Sequence, residues 1–315
     1  MRYSPRHGCK NAVDVNSRLF ARSTAQPSRR LRPAWLVRND SEFATIGIPM
    51  AQKVVFLMYH ELEQSGTPLC RMEPGYRRYV VSAPEFEAQM RWLKTAGIRA
   101  TDVTKALAFP EHPTVALTFD DGCASDLLIA APVLHDLGFR ATFYITVGWL
   151  DSVGFLSSSQ VRELSDFGFD IGCHSMTHPH LSEVAEDSLR HEMLDSKHKL
   201  EDLVGRPVMH FSCPGGRYNR RVQAAARQFG YRTVSTSYPC SNSPCSDPYE
   251  LGRVVIMRNA TLHAFQTICR NERLWRLQAV ETVRGAAKRI LGNTSYDHLR
   301  AVLLGGQSDH EGTSH

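Results

Sequence analysis

Val115-Ala116-Leu117-Thr118-Phe119-Asp120-Asp121-Gly122 is the stretch on which the reading of the fold turns. Its first five residues are apolar or β-branched without interruption, the pattern of a strand covered on both faces; a half-exposed strand would alternate with polar residues. Two acids and a glycine then end the run, and glycine permits the sharp path that leads out of a strand. Runs of the same kind recur on either side: Val54–Tyr59, Ile98–Val103, Ala141–Val147, Phe169–Cys173, Val208–Ser212, Tyr231–Thr236 and Val254–Met257. Between them lie amphipathic stretches, each closed by a glycine: Pro84–Ala96, Ser125–Leu137, Ser158–Phe167, Asp187–Val204 and Asn219–Phe229. Strand, helix and glycine in repeated order predict a parallel α/β architecture. Seven or eight such units suggest an irregular barrel, with an open doubly wound sheet as the alternative. Neither GxGxxG nor GxxxxGK follows any strand, so nucleotide binding is not indicated.

The ends differ from this middle. Residues 1–50 are rich in Arg, Ser and Pro and lack an apolar core of 7–15 residues, so no secretory signal is readable and the cytoplasm is the expected compartment. They read as a disordered basic leader or a mis-called start, with Met50 as the alternative initiator. Residues 51–270 form the expected α/β domain. Residues 271–315 form a helical extension, with helices over Glu272–Leu291 and Tyr296–Leu304 and a frayed tail from Gly305 to His315.

Charge and cysteine content narrow the function. The 315 residues carry 37 basic and 32 acidic side chains, a net +5. Residues 1–50 alone hold +6 from eight Arg and one Lys against Asp14, Asp40 and Glu42, so the remainder carries 28 basic against 29 acidic residues. A nucleic-acid partner for the globular part therefore has no electrostatic support. No apolar run approaches the ~18 residues of a membrane span. Eight cysteines without a CxxC pair make reduced thiols the expectation, with a Cys240–Cys245 loop as the oxidised alternative.

In a β/α barrel the chemistry gathers at the carboxyl ends of strands. Asp120 and Asp121 stand at one such end; two adjacent carboxylates facing one pocket repel unless a cation or proton separates them. A strand-to-helix turn with an Asp cap uses the same residues. Another strand end opens into His174-Ser175-Met176-Thr177-His178-Pro179. Two imidazoles four residues apart, with one carboxylate, make a set suited to zinc or another divalent metal. A third end opens into Cys213-Pro214-Gly215-Gly216-Arg217-Tyr218-Asn219. There backbone N–H groups can meet an oxyanion and Arg217 can hold a polar substrate, or Asn219 simply caps the next helix.

Thr118-Phe119-Asp120-Asp121-Gly122 followed by His174-Ser175-Met176-Thr177-His178-Pro179 resembles the first two motifs of the polysaccharide deacetylase family (carbohydrate esterase family 4, the NodB-homology domain). Tyr59-His60 and the helix through Phe86 and Leu93 are similar to its N-terminal part. The resemblance covers roughly residues 54–260. It implies an α/β fold, a distorted (β/α) barrel of about seven parallel strands, and hydrolysis of N-acetyl groups on an N-acetylated carbohydrate. It also implies a divalent metal: zinc foremost, with cobalt, nickel or manganese as alternatives. Carried across by position, Asp121, His174 and His178 are the metal ligands and Asp120 the general base. Gly215 or Gly216 supplies the oxyanion N–H; apart from the resemblance, Arg217, Tyr218 and His60 are expected to contact substrate. Three departures stand out. The family's Arg two residues before the third motif's proline is Ser212 here. The fourth motif has only Asp247 and Tyr249 as poor counterparts. The fifth motif is not evident; His263, six residues after the last strand, reads either as its general acid or as a residue of a helix. The same residues would serve hydrolysis of another non-peptide C–N bond, such as a cyclic imide or ring amide, or a carbohydrate-binding protein that has lost its acid.

Overall fold

The computed structural model describes residues 53–291 apart from 74 and 109–111. The leader, Met50, the helix expected over Tyr296–Leu304 and the tail lie outside the described residues. Seven parallel strands form the frame: β1 (Val54–Tyr59), β2 (Thr114–Phe119), β3 (Thr142–Ile145), β4 (Asp170–Cys173), β5 (His210–Ser212), β6 (Thr233–Ser235) and β7 (Val254–Val255). They pair in sequence order from β1 to β6. β7 returns to β1 through Leu57↔Val254 and Met58↔Val255. Between β6 and β7 a single bridge, Ser235↔Leu251, spans the gap, so the sheet is a curled, distorted (β/α) barrel. Two short strands extend it at the amino ends, Arg99–Thr101 beside β2 and Ser241–Asn242 antiparallel to β1.

Uninterrupted apolar strands have two buried faces here, and the faces differ. Val55, Leu57 and Tyr59 with Val115, Leu117 and Phe119 join the main core cluster, while Val54, Phe56 and Ala116 belong to a second, smaller one. The main cluster is built on aromatic contacts: Tyr59 and Phe119 stack at 5.3 Å, Phe119 and Phe143 at 4.8 Å, and Phe86 meets Phe119 edge-on. On the opposite face, Tyr144 Oη lies 2.9 Å from Ser235 Oγ. β3 and β6 are not neighbours, so this contact crosses the inside of the curl. Thr118, Asp120, Ser212 and Arg253 share that buried inner face through their mutual hydrogen bonds.

Local sequence accounts for the helices. Helix α1 (Ala83–Thr95) starts with a reciprocal Ser82/Glu85 capping box, which satisfies two otherwise unpaired N-terminal groups. The strand expected over Ile98–Val103 is shorter, because Asp102 accepts the Lys105 N–H and turns the chain into a helix at Val103–Leu107. The helix expected over Asp187–Val204 contains a π-turn at His191–Asp195, and that over Ser125–Leu137 has one at Asp126–Ala130. Both π-turns re-aim an acidic side chain inward: Glu192 and Asp126 are buried. The C-terminal helix spans Leu274–Leu291, and Leu274 joins the main core cluster. Among the described residues no helix is long and apolar enough to cross a membrane. Cys240 and Cys245 are free thiols.

Candidate metal centre and active site

The carboxyl ends of β2 and β4 bring three of the expected residues within ligand distance of one another. Asp121 Oδ1 lies 3.6 Å from His174 Nε2 and 3.5 Å from His178 Nε2. Three donors held ~2.1 Å from one tetrahedral ion stand about 3.4 Å apart, so the spacing suits a shared cation. Asp121 Oδ1 is buried and has no hydrogen-bond partner, a costly condition unless a cation completes it. His174 Nδ1 donates to the Ser212 carbonyl at 2.9 Å, which leaves the Nε2 lone pair facing Asp121. Burial, with the neighbouring His174, pushes the His178 imidazole down to about 3, so it presents a neutral nitrogen. The donor set fits a divalent metal.

The backbone is bent to make this set. Asp121, Ser175 and His178 have φ of 80°, 70° and 63°, left-handed values that non-glycine residues seldom adopt. Gly122 follows at 82°. Ser175 Oγ accepts the His178 N–H at 2.9 Å. Glu192 clamps the loop from below, accepting the N–H groups of Met176 and Thr177 at 2.9 and 2.8 Å and the Thr177 hydroxyl at 2.7 Å. The loop is thus held by side chains that the HxxxH spacing does not reveal.

Asp120 faces inward and is fully engaged. Arg253 Nη1 donates to its Oδ1 and Nη2 to its Oδ2, both at 2.7 Å. Ser212 Oγ donates to Oδ2 at 3.2 Å and accepts from Arg253 Nη2 at 2.8 Å. Burial opposes the charge on Asp120, but Arg253, helped by His174, outweighs it and holds the carboxyl well below the usual carboxylate range. Arg253 resolves the puzzle of Ser212: the guanidinium missing from β5 arrives from the chain just before β7, and the small serine leaves room for it. Sequence reading missed Arg253; its only signal was a charged residue at the mouth of an apolar run.

A second arginine lies at the rim. Arg71 Nη1 is 3.3 Å from Asp121 Oδ2, and its guanidinium lies 4.9 Å from the ring centres of both Tyr76 and Trp149. Trp149 stacks on His178 at 5.0 Å. Beside this ladder is a cavity of about 440 Å³ lined by Cys70, Arg71, Met72, Glu73, Trp149 and Phe155. The turn after Asp121 is stitched to that wall by Ala124 N–H to Gly154 O and Leu156 N–H to Gly122 O, both 2.9 Å.

The other expected residues are placed unevenly. His60, just past β1, is electrostatically coupled to Asp121, Asp120, Arg253 and His174, and burial, partly opposed by the two acids, lowers its imidazole. Its Nδ1 is buried without a partner. The structure does not bring His263 to this cluster. It is exposed, near the start of helix Leu262–Cys269, which packs on α1 through Phe265 and Trp92. Gly216 N–H is committed to the Cys213 carbonyl at 2.9 Å, which leaves Gly215 of the two expected oxyanion donors. Arg217 is paired with Glu183 at 3.0 Å, and Tyr218 Oη donates to Glu250; both side chains are committed within the protein. Asp247 and Tyr249 are outer-surface partners of Arg227.

Residues 109–234 match the family model described as polysaccharide deacetylase. Over that segment, about two fifths of its length, the chain is similar to the polysaccharide deacetylase family. The match spans Asp120, Asp121, His174 and His178 and stops short of Arg253. The Bacillus subtilis (strain 168) protein named "Putative polysaccharide deacetylase YxkH" is 29% identical over 234 residues, which is 72% of this chain and 80% of that protein. A peptidoglycan-N-acetylglucosamine deacetylase of Bacillus cereus is 32% identical over 127 residues. That alignment takes in 39% of this chain and 56% of the enzyme, so the chain spans about half of that relative's length. The crystal structure of a polysaccharide deacetylase from Bacillus cereus superposes with a TM-score of 0.62 at 28% identity, over 70% of this chain and 69% of that one. The curled, distorted (β/α) barrel is therefore the fold of these deacetylases as well.

Proposed function

We propose that the chain removes the N-acetyl group from an amino sugar in a glycan, oligosaccharide or sugar-linked lipid, with a divalent metal, zinc foremost, held by Asp121, His174 and His178. The observation that carries this reading is the buried, unpartnered Asp121 Oδ1 facing two histidine Nε2 atoms. When bound there, the metal supplies Lewis acidity, polarising an acetamide carbonyl and acidifying a water molecule.

This chain's residues supply the rest. Asp120 stays ionised under Arg253, and its Oδ2, 3.8 Å from His174 Nε2, would take the proton of the attacking water. Its bidentate clamp makes it a weak base with a fixed direction; orientation is what Arg253 and Ser212 contribute. His60, neutral at rest because burial lowers its imidazole, would relay to the departing amine the proton taken from the water, in the part first expected of His263. The Gly215 N–H would meet the tetrahedral oxyanion. Trp149 and Arg71 form the wall against which a sugar ring would lie, an aromatic face with a cation beside it.

The test is release of free amine from N-acetylglucosamine oligomers and from ring amides, with metal analysis of the same sample. Amine release from the oligomers that chelation removes and zinc restores supports the reading. Turnover of a ring amide alone would move the same centre to another C–N bond. Bound metal without any turnover would leave a carbohydrate-binding protein.

A further inference from the structure

Beside the metal centre, the loop after β1 and the turn after β2 bring two thiols together. Cys70 Sγ and Cys123 Sγ are 2.9 Å apart, although 53 residues separate them in sequence. Tyr76 Oη lies 3.3 Å from the first sulfur and 3.6 Å from the second. Glu61 fixes the loop side: its Oε1 accepts the Cys70 N–H at 2.8 Å and its Oε2 accepts the Cys70 S–H at 3.3 Å. From the other side, a Cβ at Gly154 would stand 2.7 Å from Cys70 Cα, so the chain there is backed closely. Cys123 is buried and Cys70 half-buried, which makes Cys70 the sulfur that a reagent reaches first.

Glu61, Cys70 and Cys123 also have donor atoms within 4.8 Å of one another, a set that can hold a metal ion. Two thiolates on one tetrahedral zinc, with Zn–S of ~2.3 Å, stand about 3.8 Å apart. The sulfurs here are well inside that separation, which favours a bond between them over an ion shared by them.

We propose that Cys70 and Cys123 are a modification site: they form a reversible disulfide by exchange with a low-molecular-weight disulfide such as oxidised glutathione. Cys70 passes its proton to Glu61 and attacks one sulfur of the reagent. The reagent's S–S bond breaks, one glutathione leaves as thiolate, and a mixed disulfide stands on Cys70. Cys123, losing its proton, attacks Cys70 Sγ, and the second glutathione leaves. Two protein thiols are oxidised, one glutathione disulfide is reduced, and the two released thiolates take up the two protons. Cys70 directly precedes Arg71, which contacts Asp121, and Cys123 lies two residues beyond Asp121. The bond therefore fastens one wall of the cavity to the turn that carries the metal-facing carboxylate.

The test uses the full chain and needs no turnover. Reduced protein is equilibrated with oxidised glutathione, alkylated and peptide-mapped without reduction. The expected result is one peptide pair joined through Cys70 and Cys123, lighter by two hydrogens than the separate thiol peptides. Closing so long a loop should raise Tm by roughly 5 °C over the reduced chain, a rise absent in Cys70→Ser and Cys123→Ser. The map is read on the unsubstituted chain, so a variant that fails to fold does not remove the test. Alkylation of both sulfurs as free thiols in excess oxidised glutathione would overturn the proposal, as would glutathione retained on Cys70 or an unchanged Tm. A zinc ion present in the reduced chain and lost in Cys70→Ser would assign the cluster to a metal instead.

Discussion

The carboxylate of Asp120 accepts three side-chain hydrogen bonds, two from Arg253 and one from Ser212. That of Asp121, the next residue, accepts one, from Arg71, and leaves Oδ1 buried with none. The first belongs to an inner column of polar groups that spans the curl of the barrel; the second belongs to a rim of bent loops with left-handed backbone at Asp121, Ser175 and His178. A buried acid whose lone pairs are directed by fixed donors is a positioned group, because moving it breaks several bonds at once. A buried acid with an idle oxygen opposite two imidazoles stands where a ligand would, because a cation held there would repay its desolvation. Two residues of the same type, adjacent in sequence, thus take opposite parts because one faces the column and the other the rim.

The comparison breaks most visibly at Asp121. Asp121→Asn removes the anionic donor from the rim, and the chain, loaded with zinc and dialysed, is expected to retain less than about a tenth of the wild-type metal. Deacetylation should fall to background. Metal analysis decides it, and retention at the wild-type level would show that the rim is not the site.

Asp120→Asn is the complementary break. Metal content should stay near wild type while turnover falls by roughly 10²–10⁴, the usual contribution of a positioned base. The substitution also leaves Arg253 buried at 0% exposure without its anion, which costs about 3–5 kcal/mol of stability. Rates are therefore compared at a temperature where both proteins are folded, with a denaturant melt alongside. Equal metal loss in the two variants would abolish the division between column and rim.

How much of this was legible in the sequence follows the range of the interactions. The strands and the four residues Asp120, Asp121, His174 and His178 are local features: an apolar run, and polar residues at its end. Arg253 reaches Asp120 across 133 residues, and nothing local at Gly252-Arg253-Val254 says which strand it will face. Closure of the sheet between β6 and β7 makes that contact, and closure is not written in any one segment. Glu192 was hidden for another reason: it sits within a helical pattern that reads as continuous from 187 to 204, and only the π-turn at His191–Asp195 re-aims it. His263 was legible in the opposite way. Its spacing from the last strand admitted an acid and its segment also read as helical, and the Thr261 cap on the Ala264 N–H starts the helix that carries the imidazole out to solvent.

The rim can be loosened without touching a ligand. Glu192→Gln removes the charge that holds two N–H groups and a hydroxyl of the Ser175–His178 loop. A support of this kind is typically worth 10–100-fold in metal affinity. The expected outcome is a zinc affinity weaker by that factor, read by competition with a chelator, and turnover near wild type once zinc is saturating. Turnover still reduced at saturation would mean that Glu192 also shapes the column.

The two histidines outside the proposed ligand set are expected to give unequal effects, that of His263 the smallest of all, and their difference sharpens the boundary of the site. His60 lies where Asp120, Asp121, Arg253 and His174 all act on it, whereas His263 is exposed on a helix packed against α1. A proton donor removed from the column side should lower kcat by about 10²-fold, at the low end for a general acid, with metal content unchanged. An exposed helix residue should matter within about twofold, as surface substitutions generally do. His60→Gln and His263→Ala, assayed for kcat, KM and zinc on one substrate, give the two numbers. If His263→Ala were the slower enzyme, the helix at Leu262–Cys269 would have to rearrange when substrate binds, and the acid would belong to it after all. If neither variant is slow, the leaving amine takes its proton from solvent, and the inner column needs only Asp120 and Arg253 to do its work.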